Sequence, residues 1–385
     1  MDPEFIVFGQ PMLDDAEIQE VVATLDSRWL GTGPRVARFE QEFASYRKVS
    51  SGHTAAVNSG TAALHLSLLA SGVSKGDEVI VPAMTFCASV NAIINSGATP
   101  VLADVDRETM NIDPVDIESR ITDKTRAIVP VHFAGRPCDM SKIMNIAERH
   151  SLKVIEDCAH AIETEWEGQP VGTFGDFGCF SFYVTKNLTT GEGGMVISRN
   201  REDIDRIKVL ALHGMSKDAW HRFSDAGYKH YDVVASGYKY NMMDLQAAIG
   251  IHQLDKITKH HQARENLWNY YNEQFSDLPI VCPSNDRSKI KHGFHLYPIL
   301  VDEKSCGISR DEFLNAMTVQ KIGVGVHYRS IAQHSYYQEE YGFRSSDYPQ
   351  SEYIGNRTVS LPLSAAVSED QRSRVVAAVY SALAS

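Results

Sequence analysis

Lys186, Ser181 and Asp157 are the residues whose types and spacing first indicate chemistry. Lys186 lies just beyond an apolar strand that holds Ser181, and Asp157 closes another apolar strand 29 positions earlier. A lysine at the end of a buried strand is placed to be desolvated, which disfavours its ammonium form. The neutral amine is the nucleophile that forms Schiff bases with carbonyl compounds. Taken alone, Lys186 is better explained as a solvated surface lysine, and only its spacing to the other two residues makes it a candidate nucleophile.

Asp157 ends the predicted strand Val154–Asp157, where its carboxylate has a possible partner. At the mouth of a parallel sheet, a carboxylate can pair with a protonated heterocyclic nitrogen. In pyridoxal 5′-phosphate (PLP) such an ion pair makes the pyridine ring an electron sink. His160, three residues further on, is placed to touch the same ring. The plainer explanations are a helix cap or structural acid for Asp157 and an ordinary, partly buried histidine for His160.

A phosphate group would find donors at Asn58–Thr61, a small polar turn between a predicted strand and a predicted helix. Gly60 and Thr61 offer backbone N–H groups where the helix dipole favours an anion, although the turn by itself is also an ordinary N-cap. Ser181 is placed to reach the same phosphate. Phe86 follows another strand and can stack on a flat ring, but a core phenylalanine is an equally good explanation. Only in combination do these residues predict a PLP site.

The elements that must position these residues alternate between short apolar strands and helices up to about residue 250. Such alternation predicts an α/β fold with a mostly parallel sheet covered on both faces. A sheet of this kind binds its ligand at the carboxyl ends of the strands. The predicted strands cover residues 55–57, 78–82, 99–105, 127–131, 154–157, 179–183 and 194–198.

Beyond residue 250 the pattern changes to that of a smaller α+β unit, so two domains are predicted, 1–250 and 251–385. A long polar helix is predicted over Asp244–Gln274, with Asp244 as its cap. A second helix is predicted over Arg310–Gln320, preceded by the cap Ser309. Two further strands are predicted over residues 295–301 and 324–328.

The composition of the chain excludes several classes of function. The 385 residues carry a net charge of −12 without a Lys/Arg-rich run, so neither nucleic acid nor an anionic membrane surface is expected as a partner. The six cysteines form no CxxC pair, and no metal site is predicted. Together with the lack of a secretory signal, they predict a cytoplasmic protein. No apolar run approaches the ~20 residues of a membrane span.

Five sequence motifs identify a resemblance to the DegT/DnrJ/StrS sugar aminotransferases, which are fold-type I PLP enzymes. The motifs are Asn58-Ser59-Gly60-Thr61-Ala62-Ala63-Leu64, Pro82-Ala83-Met84-Thr85-Phe86, Glu156-Asp157-Cys158-Ala159-His160-Ala161, Ser181-Phe182-Tyr183-Val184-Thr185-Lys186-Asn187 and Gly237-Tyr238-Lys239-Tyr240-Asn241. The resemblance extends from Trp29 to Leu363. It implies an aspartate-aminotransferase-like large domain with a mostly parallel seven-stranded sheet and a smaller α+β C-terminal domain.

The resemblance also implies the cofactor, PLP alternating with pyridoxamine phosphate (PMP), and a homodimer as the active unit. Lys186 would form the Schiff base and move protons. The other cofactor contacts would be Asp157 with the pyridine nitrogen, Phe86 and His160 with the ring, and Gly60, Thr61 and Ser181 with the phosphate. Asn241 is expected to reach the phosphate of the partner subunit's cofactor. The substrate-side residues would be His327, Tyr328, His213 and Arg222.

Within the family, His160 and the stretch Cys306–Asp311 look most like enzymes that act at C4 of a UDP-linked 4-keto sugar, with L-glutamate as amino donor. GDP- or dTDP-linked sugars and amination at C3 remain alternatives. So do a PLP-binding regulator and another PLP enzyme, such as a dehydratase or decarboxylase. The chain departs from the dehydratase branch, which has His at the position of Lys186. It also departs from aspartate-type transaminases, because Gly193 and Gly194 occupy the region of their phosphate-binding Arg.

Overall fold

The fold is given by a computed structural model that describes residues 4–216 and 231–384. The strands in these ranges are β1 (Thr54–Val57), β2 (Glu78–Pro82), β3 (Thr99–Ala103), β4 (Thr125–Ile128), β5 (Lys153–Asp157), β6 (Glu165–Trp166), β7 (Gln169–Pro170), β8 (Phe177–Ser181), β9 (Gly194–Ser198), β10 (Ile290–Lys291), β11 (Tyr297–Leu300) and β12 (Thr358–Leu361). The α-helices are α1 (Asp15–Ser27), α2 (Pro34–Tyr46), α3 (Gly60–Ala70), α4 (Cys87–Asn95), α5 (Pro114–Ser119), α6 (Met140–His150), α7 (Arg201–Ala211), α8 (Asp244–Gln274), α9 (Glu303–Cys306), α10 (Arg310–Val319), α11 (Ser335–Tyr341), α12 (Pro349–Gly355) and α13 (Glu369–Leu383). None of these helices combines the length and apolar character that crossing a bilayer requires.

Seven strands form one sheet in the order β1-β9-β8-β5-β4-β2-β3. Only β9 runs antiparallel to its neighbours, whereas the other adjacent pairs are parallel. The predicted mostly parallel seven-stranded sheet is therefore confirmed. β5 and β8 are neighbours, and Asp157 pairs with Cys179. Asp157 and Ser181, the last residues of these two strands, consequently lie at the same edge of the sheet.

Helices cover both faces of this sheet, which explains why its strands carry apolar residues on both faces. Val79 and Val81 of β2 pack in the same cluster as residues of α3, α4 and α7. Ile80, which points the other way, packs with residues of α5 and α6. The strands are thus held between two helix layers, and only their ends are free to present side chains to a ligand.

A second core surrounds the antiparallel pair β11 and β12, with α10 and α13 packed against it. The predicted domain division after residue 250 falls inside α8. The first half of α8 packs against the sheet through Ile251 and Leu254, and its second half packs into the other core through Trp268 and Tyr271. The division into residues 1–250 and 251–385 stays a prediction.

The strand predicted over residues 324–328 is wrong. This segment forms a single β-bridge, between Gly325 and Ser360, and is otherwise irregular. The ring of His327 folds back onto Gly325, where a β-carbon would lie 2.6 Å from the imidazole. A side chain at position 325 would displace this ring, so the close approach favours glycine. The Thr358 hydroxyl donates to the His327 carbonyl oxygen and the Ser360 hydroxyl bonds to the His327 ring, in place of the backbone ladder of a strand.

The prediction that Asp244 caps its own helix is wrong. Asp244 caps α2 instead. Its carboxylate is fully buried and accepts hydrogen bonds from the backbone N–H groups of Gly33, Arg35 and Val36 at 2.9–3.1 Å. Met243 occupies the N-cap position of α8 instead. Because α2 has no cap from its own sequence, Asp244 satisfies donors that would otherwise be left unpaired.

Replacing Asp244 with alanine is expected to lower the free energy of unfolding by about 2–4 kcal/mol, since three N–H groups lose one buried acceptor. Urea titration measures this change. The matched control is Asp113→Ala, which removes the more accessible N-cap of α5 and should cost about 1 kcal/mol. Equal losses in the two variants would show that the buried carboxylate has no special role.

Candidate active site

A cavity of about 480 Å³ opens at the carboxyl ends of β5 and β8. Nine of the predicted site residues line it, namely Gly60, Thr61, Phe86, Asp157, His160, Ser181, Lys186, His327 and Tyr328. They come from distant parts of the sequence and meet because neighbouring parallel strands end at one edge. The structure therefore brings most of the predicted constellation into one place.

Three predicted residues are not part of this cavity. Asn241 lies beyond β1, where its amide donates to the Thr32 hydroxyl at 2.7 Å, and it lines a separate cavity that also contains Trp29. His213 adopts a left-handed backbone conformation and does not line the Lys186 cavity. Arg222 lies outside the described residues.

Lys186 is half-buried in the loop that follows β8. Burial lowers the pKa of its amine from 10.5 to about 8, while the negative charge of Asp157 acts in the opposite direction. Within residues 4–216 and 231–384, no acceptor makes a hydrogen bond to its Nζ. A larger fraction of this amine is therefore neutral near pH 7 than in an exposed lysine, as a nucleophile requires.

The carboxylate of Asp157 is buried at the end of β5 and held by two donors. The Ser89 hydroxyl donates to its Oδ2 at 2.7 Å, and the Ala159 N–H donates to its Oδ1 at 3.1 Å. Burial raises the pKa of Asp157, whereas these hydrogen bonds and the charge of Lys186 oppose that rise. A carboxylate accepts about four hydrogen bonds, so Asp157 retains capacity for a protonated ring nitrogen in the cavity.

The N-terminus of α3 forms a cradle that fits a phosphate. Ser59 caps this helix by accepting from Ala62, and the N–H groups of Gly60 and Thr61 have no acceptor in the described parts of the chain. A β-carbon on Gly60 would lie 2.7 Å from the Ser181 Cβ, so glycine is needed for the two to approach. The free N–H groups, the helix dipole and the Ser181 hydroxyl together provide an anion site.

Phe86 and four further rings complete the walls of the cavity. Phe86 is 55% exposed, which excludes the core role considered above and leaves its ring free to cover a flat ligand. On another side, the ring wall consists of His160, His295, His327 and Tyr328. Burial and the charge of Lys186 lower the pKa of all three imidazoles, that of His327 to about 4. The ring wall is therefore neutral near pH 7.

Sequence reasoning missed Ser89 and His295. Ser89 follows Phe86 by three residues in α4 and so faces the same edge of the sheet, a signal that the helical period contains. His295 lies in an irregular segment before β11, and no local pattern distinguishes it. Its place in the ring wall depends on contacts with His160, whose ring centroid is 4.3 Å away.

A buried group outside the cavity, formed by His132, Glu156 and Cys158, has the composition of a metal site. Hydrogen bonds already account for the glutamate, because its two oxygens accept from the N–H groups of residues 172, 174 and 175. The His132 ring lies 3.1 Å from one of these oxygens. The group is thus explained as a structural network behind β5.

A Schiff-base lysine candidate, a buried acid and a phosphate cradle on this sheet are the features of the class of PLP-dependent enzymes, and the residues present fit that cofactor. The profile of the DegT/DnrJ/EryC1/StrS aminotransferase family matches residues 11–380, and the chain belongs to this family. The spore coat polysaccharide biosynthesis protein SpsC of Bacillus subtilis is 45% identical over 376 residues, which cover 97% of this chain and 96% of SpsC.

Solved structures agree with this assignment. Spr1654 from Streptococcus pneumoniae, solved in its PMP form, is 32% identical and superimposes with a TM-score of 0.91 over 99% of this chain and 98% of its own. PseC from Helicobacter pylori, an aminotransferase involved in the biosynthesis of pseudoaminic acid, is 28% identical, with a TM-score of 0.91 over 99% and 100% of the two chains. The protein is therefore a PLP-dependent sugar aminotransferase, which confirms the predicted fold class, enzyme class and cofactor.

Burying Lys186 is expected to destabilise the cofactor-free protein. Lys186→Met should raise its free energy of unfolding at pH 7 by about 1–3 kcal/mol, a range that allows for water in the cavity. Between pH 8 and 10.5 the unfolded chain keeps a proton that the folded chain has lost. The stability of the wild type therefore rises relative to that of the variant with increasing pH in this window.

Urea titrations of both cofactor-free proteins measure this effect. By pH 9.5 the difference in free energy of unfolding between Lys186→Met and the wild type should fall to less than half of its value at pH 7. A constant difference across this range would show that Lys186 titrates at its ordinary pKa in the folded protein.

Proposed function

We propose that this sugar aminotransferase takes its amino group from L-glutamate and transfers it to C4 of a UDP-linked 4-keto sugar. Glutamate would leave as 2-oxoglutarate in the first half-reaction, and the sugar ketone would be aminated in the second. The observation that carries the proposal is one cavity that joins Lys186 and Asp157 to a neutral ring wall. Among the described residues that line it, Lys186 is the only lysine and none is an arginine. Such a lining suits the polar but uncharged ring of a sugar.

The residue roles belong to the same proposal. PLP supplies the electron sink that makes exchange of the amino group possible. Lys186, with a pKa of about 8, accepts and returns a proton at Nζ near neutral pH. Asp157 keeps a proton on the ring nitrogen through its negative charge. Phe86 covers one face of the ring and His160 contacts it.

The phosphate is assigned to a separate set of groups. Gly60 and Thr61 bind it through the backbone, and Ser181 binds it through its hydroxyl. Because these groups carry no positive charge, the helix dipole supplies part of the compensation.

A homodimer is part of this proposal, with Asn241 as the residue that crosses the interface. Asn241 does not line the Lys186 cavity of its own chain, and we assign it to the cofactor phosphate of a second copy. Its surroundings expose large apolar side chains, among them Trp29 at 49% and Met243 at 44%. Exposed apolar groups around a polar residue are typical of an interface between subunits.

The sugar and its nucleotide are proposed from His160 and from the similarity to SpsC. His160 lines the cavity, whereas the stretch Cys306–Asp311 forms the connection from α9 to α10 and does not contribute to the described lining. The similarity to SpsC supports a product that enters a polysaccharide. GDP- and dTDP-linked sugars and C3 amination are therefore included in the test.

Half-reactions followed by absorbance test the proposal. Addition of L-glutamate to the PLP form should shift its band to that of the PMP form. The PMP form is then mixed with UDP-, GDP- and dTDP-linked sugars, each as the 4-keto and the 3-keto form, and the UDP-linked 4-keto sugar should restore the PLP band fastest. A spectrum that other amino acids change but glutamate does not would eliminate the proposed donor, and a faster response to another nucleotide would replace UDP.

A further inference from the structure

We propose that His295 is a specificity-determining residue whose Nε2 accepts a hydrogen bond from a hydroxyl of the sugar ring, while Tyr328 donates one to the same sugar. This inference rests on the proposed placement of the sugar against the ring wall. Neither residue's hydrogen-bond direction depends on the ligand, because both are set by a fixed network behind the wall.

The side chain of Asn187, the residue after Lys186, has a fixed orientation. Its Nδ2 lies 2.8 Å from a carboxylate oxygen of Glu163 and 2.8 Å from the Gly293 carbonyl oxygen. Both of these groups only accept hydrogen bonds, so the amide nitrogen must face them. Glu163 is itself held by a buried ion pair with Arg264. The amide oxygen of Asn187 therefore has one orientation.

That oxygen determines the tautomer of His295. His295 Nδ1 lies 2.9 Å from the Asn187 Oδ1, and because this oxygen only accepts, Nδ1 must carry the proton. Burial and nearby positive charges lower the pKa of His295 well below its ordinary value, so the ring is neutral. Its Nε2 is consequently an unprotonated acceptor, and it has no partner within the described ranges.

His160 has the opposite tautomer from His295. The Ala134 N–H donates to the Nδ1 of His160 at 3.3 Å, so the proton of this neutral ring lies on Nε2. His160 Nε2 is 3.1 Å from the Tyr328 hydroxyl oxygen and donates to it. The hydroxyl hydrogen of Tyr328 is then free to donate into the cavity.

The ring wall thus offers one acceptor and one donor. His160 lies between the two residues: its ring is tilted by 34° against that of His295 and stacked on that of Tyr328. A hydroxyl satisfies both, because it donates and accepts. A carboxylate, a phosphate or a ketone oxygen only accepts, and so would leave the His295 lone pair buried without a donor, which is costly. The wall is therefore matched to the hydroxyl-bearing ring of the keto sugar and not to the carboxylates of the amino donor.

His295→Asn removes the proposed acceptor Nε2 and keeps the hydrogen bond to Asn187. The Asn Nδ2 takes the place of the imidazole Nδ1 and keeps the hydrogen bond to Asn187, but nothing replaces Nε2. We expect kcat/KM for the keto sugar to fall about 10-fold, with the rate of the L-glutamate half-reaction changed less than about 2-fold. The affinity for the unreactive parent nucleotide sugar, which carries a hydroxyl in place of the ketone, is measured by calorimetry and should fall by a similar factor.

The matched control is His292→Asn. His292 is also buried and lies in the same segment, but its Nδ1 accepts from the Phe294 N–H outside the cavity. Asparagine can keep that bond, so both half-reactions should remain close to those of the wild type.

Substrate analogues that each lack one ring hydroxyl identify the partner of Nε2. With the wild type, kcat/KM for one analogue should be about 10-fold lower than for the complete keto sugar. With His295→Asn, kcat/KM for that analogue and for the complete sugar should be almost equal. Equal losses in both half-reactions, an unchanged keto-sugar rate, or additive losses for every analogue would overturn the inference. A wild type that aminates none of the nucleotide-linked keto sugars would instead overturn the proposed function.

Discussion

Lys186→Ala is expected to lower kcat for amino transfer by at least about 10⁴-fold, since the variant loses the residue proposed both as the nucleophile and as the group that moves protons. Nζ of Lys186 is the only lysine amine among the described lining groups. An imidazole cannot form a Schiff base, so the three histidines of the ring wall cannot replace this amine. Steady-state rates with the donor and the keto sugar measure the loss.

The variant should still bind PLP, because Asp157 and the cradle at Gly60 and Thr61 are unchanged. Its absorbance should be that of free PLP, and a small primary amine added to the solution should restore part of the rate. Lys142→Ala, which removes an exposed lysine paired with Asp139 on α6, is the control and should leave the rate unchanged. Turnover by the Lys186 variant at the wild-type rate would disprove the assignment of the nucleophile.

Asp157→Asn is expected to lower kcat by about 10²–10³-fold, the loss typical of removing one preorganised electrostatic contact from an active site. The amide is isosteric with the carboxylate, and the Ser89 hydroxyl can rotate to accept from it. The fold should therefore persist while the negative charge proposed to hold the proton on the ring nitrogen is lost. Rates of both half-reactions should fall together, because both need the electron sink.

Asp104→Asn separates this loss from a general effect of removing a buried charge. Asp104 is also buried, but it accepts from Gln350 and Ser351 outside the cavity. This control is expected to change the unfolding midpoint in urea with little change in kcat. If the two variants lose activity equally, Asp157 has no special relation to the ring nitrogen.

Much of the fold could be predicted because its signals are local. The predicted helix Asp244–Gln274 matches α8 at both ends, and Ser309 caps α10 through a capping box as expected. The convergence of Asp157, Ser181 and Lys186 could also be predicted, since parallel strands place their carboxyl ends together. Here periodicity, caps and strand direction contain the necessary information.

The remaining features depend on contacts between distant segments. Asp244 caps a helix that begins more than 200 positions earlier, and a short sequence window contains no sign of this. The position of His295 in the ring wall likewise depends on Asn187, which lies 108 positions away. Residues 324–328 do not form the predicted strand because hydroxyls of β12 bond to His327 in place of a backbone ladder, and periodicity cannot show such contacts.

The burial of Lys186 has a consequence beyond catalysis. A ligand that binds only the folded chain stabilises it in proportion to the logarithm of its concentration, and PLP is such a ligand here. Without PLP, the protein lacks this stabilisation and carries the cost of the partly desolvated amine, so it unfolds more often. Since proteases degrade unfolded chains first, the amount of this enzyme in a cell should follow the supply of PLP, and starvation for the cofactor would remove the protein as well as its activity.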